Sequence, residues 1–274
     1  MNNKLKIVLG YTLLFIESLL VFIITMILLL KATLLNSSYI KNQFQLNDYY
    51  KKAYSEIKTE MSYYTEQSGF DDSIIEDIFT LTDVKNASNR FINSIYNGEK
   101  DKTNTLVIEE KLNKKIDEYI QNENFQITNR DEIDKFVKEM SKVFNNEVRL
   151  MGYLDKVSKY IPKIDDLFDY GIIFLSIILM FLVIINAKFF KRKDFGVIFY
   201  TSAFLMIFIT VSIVGSIDIN NISIYSETIS NITKIIFKDM LKYIIFIACG
   251  YIGFGVLCGA LKKEKRHRRK HENN

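Results

Sequence analysis

The chain has 274 residues, a net charge of +4 at pH 7, one proline and two cysteines. Hydrophobic residues make up 49% of it, which excludes an intrinsically disordered protein, because disordered chains lack the apolar side chains that a core needs. Both cysteines, Cys249 and Cys258, lie in one apolar stretch near the C-terminus, which excludes a small disulfide-stabilised scaffold.

The first predicted element is a membrane span over residues 7–30, where 24 consecutive residues contain a single charge, Glu17. At 1.5 Å per residue, this run exceeds the roughly 20 residues that cross a bilayer core. The start of the chain also resembles a signal peptide, but its apolar run is too long, and Leu30-Lys31-Ala32 is a poor cleavage site. We therefore expect an uncleaved membrane anchor.

Residues 33–168 are predicted to form a helical domain, because apolar residues recur there at helical spacing and the sequence shows no clear alternating strand pattern. Capping residues and helix breakers give the helix boundaries. A helix that continues from the first span is predicted to end at Ser68-Gly69, and Asp71 or Asp72 is predicted to cap a short helix after it. The next helix is predicted to start at Thr82 or Asp83 and to stop at Gly98. Thr105 and Thr128 are the predicted caps of two further helices, and Pro162 is predicted to end or kink the last one.

Three further spans are predicted over residues 171–187, 195–215 and 240–261. In the fourth span, helical spacing already begins at Ser226, and nothing interrupts it before Leu261. These 36 residues correspond to about 54 Å of helix, against a bilayer core of about 30 Å. We therefore expect this helix to extend beyond the bilayer and its outer end to pack beneath the helical domain.

Basic residues cluster before the first span, between the second and third, and after the fourth, whereas residues 33–168 carry 19 basic and 24 acidic residues. Because Lys and Arg favour the cytoplasmic ends of spans, both termini are predicted to be cytoplasmic. The sequence thus predicts an all-α, multi-pass protein of the cytoplasmic membrane with four spans. Its predicted regions are the N-terminus and first span (1–32), an extracytoplasmic helical bundle (33–168), a three-helix membrane region (169–261) and a basic cytoplasmic tail (262–274).

Glu17 lies about 15 Å into the first span, near the membrane midplane, where a carboxyl group is costly and marks a candidate functional site. At the same depth in the fourth span lies Tyr251, the predicted hydrogen-bond partner, and Thr210 lies about one turn further out. Two interpretations remain open. Glu17 is either a protonatable ion site or polar contact to another subunit, or a protonated group that fixes helix packing.

The fourth span also has a surface of small residues that includes Gly250, Gly255 and Gly259. The last two form a G-x-x-x-G spacing, which lets helix backbones approach closely. Such a surface can serve packing within the chain or contact with a partner helix. The three sibling spans favour packing within the chain.

The basic tail can attract anionic lipids or simply determine topology. Next to a span, nucleic acid is not expected as a partner. The tail's two histidines, His267 and His271, are four residues apart, but the surrounding cations disfavour a metal ion. The candidate lipid contacts are Lys262, Lys263, Arg266, Arg268 and Arg269.

The sequence lacks the motifs of zinc proteases and serine hydrolases, phosphate-binding glycine loops and C-x-x-C pairs, and no histidine precedes the tail. A carboxylate-only enzyme is the remaining catalytic alternative, but acidic pairs such as Asp71-Asp72 are more simply solvated helix ends. We therefore expect no enzymatic activity, no catalytic residue and no cofactor.

Two segments, Gln67–Asp71 and Phe91–Gly98, lie in the domain between the first span and the three later ones. In this layout the chain resembles uncharacterised four-span membrane proteins of low-GC Gram-positive bacteria of the clostridial type. The resemblance implies the topology and implies no site residue. A helical domain after a first span is also similar to bacterial sensor ectodomains, although no signalling domain follows in the short tail.

These features favour a non-enzymatic membrane-anchored module. Its outer domain would bind a partner or an envelope component, and its spans would act on a membrane-protein partner or a second copy of the chain. The alternative is a small channel or transporter, or a subunit of one, with Glu17 in the pathway.

Overall fold

The computed structural model describes residues 3–99, 106–122, 130–149, 158–190, 195–224 and 227–272, with the backbone alone for residues 3 and 261–272. This described part is all-helical and contains no strand, so the predicted all-α class is confirmed for it. Short 3-10 helices lie at Asp72–Ile75 and Ile219–Asn221. The α-helices are α1 (Asn3–Ala32), α2 (Ser37–Leu46), α3 (Tyr49–Ser68), α4 (Leu81–Asn97), α5 (Leu106–Asn122), α6 (Arg130–Val148), α7 (Ile161–Phe189), α8 (Phe195–Ser216) and α9 (Glu227–Glu272).

Four of these helices are long and apolar enough to cross a membrane, which confirms the predicted spans. The candidate spans are Lys4–Ala32, Ile161–Phe189, Phe195–Ser216 and Glu227–Ala260. The last of them continues without interruption to Glu272, so α9 has 46 residues and is about 69 Å long. The expectation that the fourth helix is longer than a bilayer is therefore confirmed.

The chain divides into two compact units. The membrane unit comprises residues 1–34, 165–225 and 233–274, and the bundle unit comprises residues 35–164 and 226–232. The first residues of α9 thus belong to the bundle unit, and the rest of this helix belongs to the membrane unit.

The bundle unit has an apolar core, to which α3, α4, α5 and α6 each contribute one face. These faces come from residues at helical spacing, as the sequence pattern predicted. Core members that are fully or almost fully buried are Ala53, Ile57, Met61, Ile74, Ile78, Val84, Phe91, Ile92, Leu112, Ile116, Met140 and Val148.

Two helix ends of the bundle lie where glycine predicted them. Gly69 and Gly98 both adopt left-handed backbone conformations, with φ of 75° and 67°, and their N–H groups bond to carbonyls of the last helical turn. A Cβ atom on Gly98 would also lie 3.0 Å from Cγ of Pro162, which adds a steric reason for glycine there.

Three predicted boundaries are corrected. The first helix does not continue from the span, because the Asn36 side chain accepts the N–H groups of Ser38 and Tyr39 and starts α2 separately. A second break follows at Asp48, which is left-handed with φ of 54°. The helix predicted to begin at Thr82 or Asp83 begins at Leu81, one or two residues earlier, because Thr80 and Asp83 form a capping box.

Pro162 begins a helix rather than ending one. It is the second residue of α7, where the backbone N–H that proline lacks would have no partner in the helix. The predicted caps Thr105 and Thr128 lie outside the described residues. Asp71 caps the short 3-10 helix through the N–H of Ser73.

Helices α1, α8 and α9 form the core of the membrane unit. Small residues lie at its centre, where Ala203 and Ala248 are almost completely buried. The surrounding members are Leu29, Met206, Ile219, Leu241 and Ile244. Two polar residues of α1, Glu17 and Ser18, are also buried in this unit.

Candidate functional site

Glu17 lies in the middle of α1 and is buried inside the membrane unit, with only 1% of its surface exposed. Its carboxylate faces Asn186 near the end of α7. The amide nitrogen Nδ2 of Asn186 donates to both carboxylate oxygens, at 3.2 and 3.3 Å. The sequence singled out Glu17, and the structure gives it an amide partner from a different span.

Asn186 is 2% exposed, and within α7, all of which the structure describes, it is the one buried residue. Its oxygen Oδ1 is buried and has no hydrogen-bond partner among the described residues. Turned over about its last side-chain bond, the carboxamide would place Oδ1 where Nδ2 now lies, and Oδ1 could accept the proton of a protonated Glu17. The pair can therefore accommodate Glu17 with or without its proton.

A second polar contact joins α1 to α8 next to Glu17. The hydroxyl of Ser202 lies 2.8 Å from the carbonyl of Ser18 on α1 and 2.8 Å from the carbonyl of Ile198 in its own helix. Ser18 in turn donates to the carbonyl of Leu14 at 2.7 Å. Both serines are completely buried, and their small size lets the two helices approach closely.

Tyr251, the predicted partner of Glu17, is instead paired with Thr25 of α1, with 2.5 Å between the two hydroxyl oxygens. Thr25 donates its own proton to the carbonyl of Val21 at 2.7 Å, so Tyr251 is the donor to Thr25. The expected pairing is corrected because Thr25 lies eight residues, about 12 Å, along α1 from Glu17. Counting residues along each helix gives the depth of a side chain in the membrane, but it does not give the direction in which that side chain points, because this depends on the rotation of the helix about its axis.

Thr210 is buried in α8, and its hydroxyl donates to the carbonyl of Met206 at 2.9 Å. This bond stays within one helix, so the structure gives Thr210 a satisfied hydroxyl and no bond to Glu17. Of the three residues predicted as an intramembrane polar site, Glu17, Tyr251 and Thr210, each therefore has a different partner.

The predicted packing glycines have different surroundings. A Cβ atom on Gly255 would lie 2.9 Å from the ring of Tyr200 and 3.2 Å from the carbonyl oxygen of Gly196, so α8 and α9 approach closely there. The corresponding positions on Gly250 and Gly259 meet nothing within 4 Å. The close approach therefore uses a glycine from each helix, and Gly196 was not singled out by the sequence.

A charged contact holds the other end of α7 in the membrane unit. The Lys31 ammonium at the end of α1 lies 2.6 Å from a carboxylate oxygen of Asp165 and 2.8 Å from one of Asp169. These three side chains are partly exposed, so the ion pairs contribute little stability. Together with Glu17–Asn186, they define two polar attachments of α7 to α1.

The candidate lipid contacts Lys262, Lys263, Arg266, Arg268 and Arg269 belong to α9, but their side chains lie outside the described residues, as do those of both histidines. Among the side chains that the structure does describe, no group of three or more His, Cys, Asp or Glu could hold a metal ion.

The sequence reading missed Asn186, Ser18, Ser202 and Thr25. Each is a polar residue inside an apolar run, which is the available signal, but a Ser or Thr hydroxyl bonded to its own helix is common and inexpensive. Asn186 carries the stronger signal, because an amide cannot satisfy both ends on its own helix as readily.

Comparisons with protein-family models, with curated proteins and with solved structures give no match to this chain. Its function is therefore argued from its own residues.

Proposed function

We propose that this chain is a four-span protein of the cytoplasmic membrane that works as a non-enzymatic interaction, sensor or assembly module. In this proposal the bundle unit is extracytoplasmic and binds a partner or an envelope component. Both termini are cytoplasmic. The membrane unit passes the state of the bundle to another membrane protein or to a second copy of the chain.

The observation that carries the proposal is the continuity of α9. Residues 227–232 belong to the bundle unit, and the same uninterrupted helix runs through the membrane unit to Glu272. Thr228, Ser230 and Ile232 are buried in the bundle unit. A continuous helix transmits a shift at one end to the other, because its backbone hydrogen bonds resist bending.

The order of the spans supports placing residues 226–232 and the bundle on one side of the membrane. Two candidate spans, Ile161–Phe189 and Phe195–Ser216, separate residue 160 from residue 226, so the chain returns to the side it left, whichever side that is. Residues 35–164 and 226–232 belong to one compact unit, which agrees with an even number of crossings between these two segments. The basic residues near Lys4, Lys188 and Arg266 favour the opposite side as cytoplasmic.

The proposed partners are the lipid bilayer and a membrane protein, either a different chain or another copy. The basic tail would contact anionic lipids, with each Lys or Arg near the surface contributing about 1 kcal/mol. Nucleic acid is not among the proposed partners, because the tail directly follows a span.

The experiment is purification of the tagged full chain from its native membrane in a mild detergent, with mass spectrometry and the particle mass measured together. We expect a stoichiometric membrane-protein partner. Deleting residues 36–161 should remove this partner while the spans still insert, and Glu17→Gln should retain it. Binding through the bundle would be contradicted by a particle that contains only one copy of this chain. It would also be contradicted by a homo-oligomer whose particle mass shows the same number of copies after the deletion.

A second candidate function is transport, with Glu17 in the pathway. The buried Glu17–Asn186 pair favours it, because Asn186 leaves one oxygen without a donor beside a carboxylate inside the membrane unit. In liposomes, Glu17→Gln should then abolish proton or monovalent cation flux while the protein still assembles. Thr12→Ala, on an exposed face of the same helix, should keep the flux. Unchanged flux in both Glu17→Gln and Glu17→Leu would end this candidate.

A further inference from the structure

A second buried carboxyl lies in the bundle unit. Glu147, in the last turn of α6, is 7% exposed. A carboxylate at such a position loses its hydration and is costly unless a cation or several donors compensate it. The groups that surround Glu147 therefore decide its charge.

Among the residues that the structure describes, the charges that raise the pKa of Glu147 are negative. They come from Glu56 and Glu60 on α3, and the carboxyl of Glu56 lies within hydrogen-bonding reach of that of Glu147. Tyr49, also on α3, donates its hydroxyl to the backbone carbonyl of Glu147 at 3.1 Å, so this bond does not involve the side-chain carboxyl.

Charged groups elsewhere around α6 have contacts of their own. On α5, Glu109 accepts a hydrogen bond from Ser141, six residues before Glu147. On α4, the ring of Phe91 lies 5.3 Å from the guanidinium of Arg149, the basic residue nearest to Glu147 in sequence. At the start of α9, Glu227 is exposed.

Glu147 is buried, whereas Glu56 is exposed. A buried carboxyl within hydrogen-bonding reach of a second carboxyl favours its protonated form, because it has lost its hydration and a like charge lies beside it. Burial, and then the negative charges of Glu56 and Glu60, raise the pKa of Glu147 to about 7. This value lies within the range of pH that a surface exposed to the cell's surroundings meets.

The carboxyl pair is joined to α9. The hydroxyl of Thr228, in the first turn of α9, donates to Oε1 of Glu56 at 3.2 Å, and Thr228 is itself buried. Glu56 therefore lies between Glu147 of α6 and Thr228 of α9. We call these three side chains the carboxyl contact.

We propose that the carboxyl contact is a proton-operated switch in the bundle unit. With the proton bound, the Glu147 carboxyl can donate it to Glu56, and Thr228 stays bonded to Glu56. When Glu147 releases the proton to water, two negative charges face each other, so the exposed Glu56 carboxyl turns away into water and the first turn of α9 loses its attachment. The consequence for signalling depends on the proposed sensor function, for which protons would then be a stimulus.

The direction of the pH effect follows from the raised pKa. The folded state holds this proton more tightly than the unfolded state, in which Glu has its ordinary pKa of 4.5. The stabilising contribution is therefore fully present below about pH 4.5 and is lost as the pH rises through about 7. The contact is closed in acid and open in base.

The test is amide hydrogen exchange of residues 227–236 in the full chain, in nanodiscs, from roughly pH 5 to 8.5, corrected for intrinsic exchange with an unstructured peptide. We expect protection of these amides to fall about tenfold around pH 7. Glu147→Gln, which mimics the protonated form, should keep them protected at every pH. Glu139→Gln, an exposed position of α6 paired with Lys142, should keep the wild-type profile.

A flat wild-type profile, or a transition near pH 7 that survives in Glu147→Gln, would overturn the proposal. If Glu147→Gln does not fold, Glu56→Gln provides the second variant. It removes the like charge, so the transition should move to lower pH, and an unchanged midpoint would also overturn the switch. The infrared carbonyl band of a protonated carboxyl should disappear through the same transition in the wild-type chain.

Failure of the switch and failure of the sensor function can be told apart. With Cys249 and Cys258 replaced by Ala, a spin label at Asn273→Cys reports the tail during the pH change. Four glycines inserted after Lys234 interrupt α9 between the units, and four alanines at the same place add equal length but keep the helix. A local transition at residues 227–236 without any tail response, even in the chain without an insertion, would support the switch and contradict transmission through α9.

Discussion

The buried hydroxyl groups of the membrane unit are satisfied mainly within their own helices. Ser18, Thr25, Thr33 and Thr210 each donate to the carbonyl four residues earlier, at 2.7 to 2.9 Å. Such bonds cost little and need no partner helix. Fewer side chains make specific contacts between spans, and the contact of Glu17 with Asn186 is the clearest example.

The pairing of these two residues also explains why only part of the site could be predicted. A carboxyl group within a long apolar run is unusual and easily recognised in a sequence, so Glu17 could be identified from the sequence alone. Its partner depends on which faces of α1 and α7 meet, and the apolar runs of both helices are too uniform to show a preferred face. Tyr251 was a reasonable donor at the right depth, but its hydroxyl reaches Thr25.

Some helix boundaries in the bundle are determined by local sequence, namely by a capping side chain or by a glycine. Gly69 and Gly98 could be predicted as helix ends, because glycine adopts the left-handed conformation without a steric penalty. The break between α1 and α2 was missed, because Asn36 can cap a helix only if the chain turns there, and the apolar spacing on both sides of it continues.

Contact between α8 and α9 depends on a glycine in each helix, which leads to a prediction. Gly196→Ala would place a Cβ atom 3.0 Å from the carbonyl oxygen of Gly255, and backbone at that distance has to move. We expect a loss of about 1–3 kcal/mol in the free energy of unfolding, measured by thermal or denaturant unfolding in detergent.

Gly215→Ala is the matched control, since it lies in the same helix and its Cβ position meets nothing within 4 Å. It should be neutral or more stable by up to about 1 kcal/mol, because alanine favours the helix. Equal effects of the two substitutions would mean that helix propensity, and not the contact with α9, sets the stability at both positions.

The whole molecule is organised by one helix that belongs to both units. Residues 227–232 of α9 contribute to the bundle, and its later turns pack with α1 and α8 around Ala248 and Leu241. A change that opens the carboxyl contact would therefore act on the same helix that carries the basic tail. This arrangement makes α9 the element whose interruption would separate binding from response.

The topology of the whole chain gives the final prediction. In a chain without Cys249 and Cys258, single cysteines at the exposed positions Lys114 and Asn220 should react with a membrane-impermeant maleimide in intact cells. A cysteine at Asn273 should react only after lysis, because both termini are proposed to be cytoplasmic.

Labelling of Lys114→Cys and Asn220→Cys from opposite sides would contradict four spans, because the two positions are separated by an even number of crossings. Labelling of both only after lysis would leave the four spans intact but reverse the proposed orientation. The two outcomes therefore test the number of crossings and the positive-inside argument separately.

Four long apolar runs and the helical spacing of the bundle were determined by the amino-acid sequence alone. Bilayer thickness and helix periodicity are constraints that act on each segment independently, so the four long apolar helices, the extension of α9 beyond one bilayer thickness and the all-helical class needed no knowledge of neighbours. The same holds for the glycine-terminated helices.

Only the tertiary structure decided which residues meet. Asn186 reaches Glu17, Tyr251 reaches Thr25, Gly196 approaches Gly255, and Glu147 comes to lie beside Glu56, a residue 91 positions earlier in the chain. Each contact depends on the rotation of two helices about their axes, which the packing of all the helices fixes together. A carboxyl group such as Glu147 looks like an ordinary solvated residue in the sequence, and its burial beside like charges is a property of the assembled bundle.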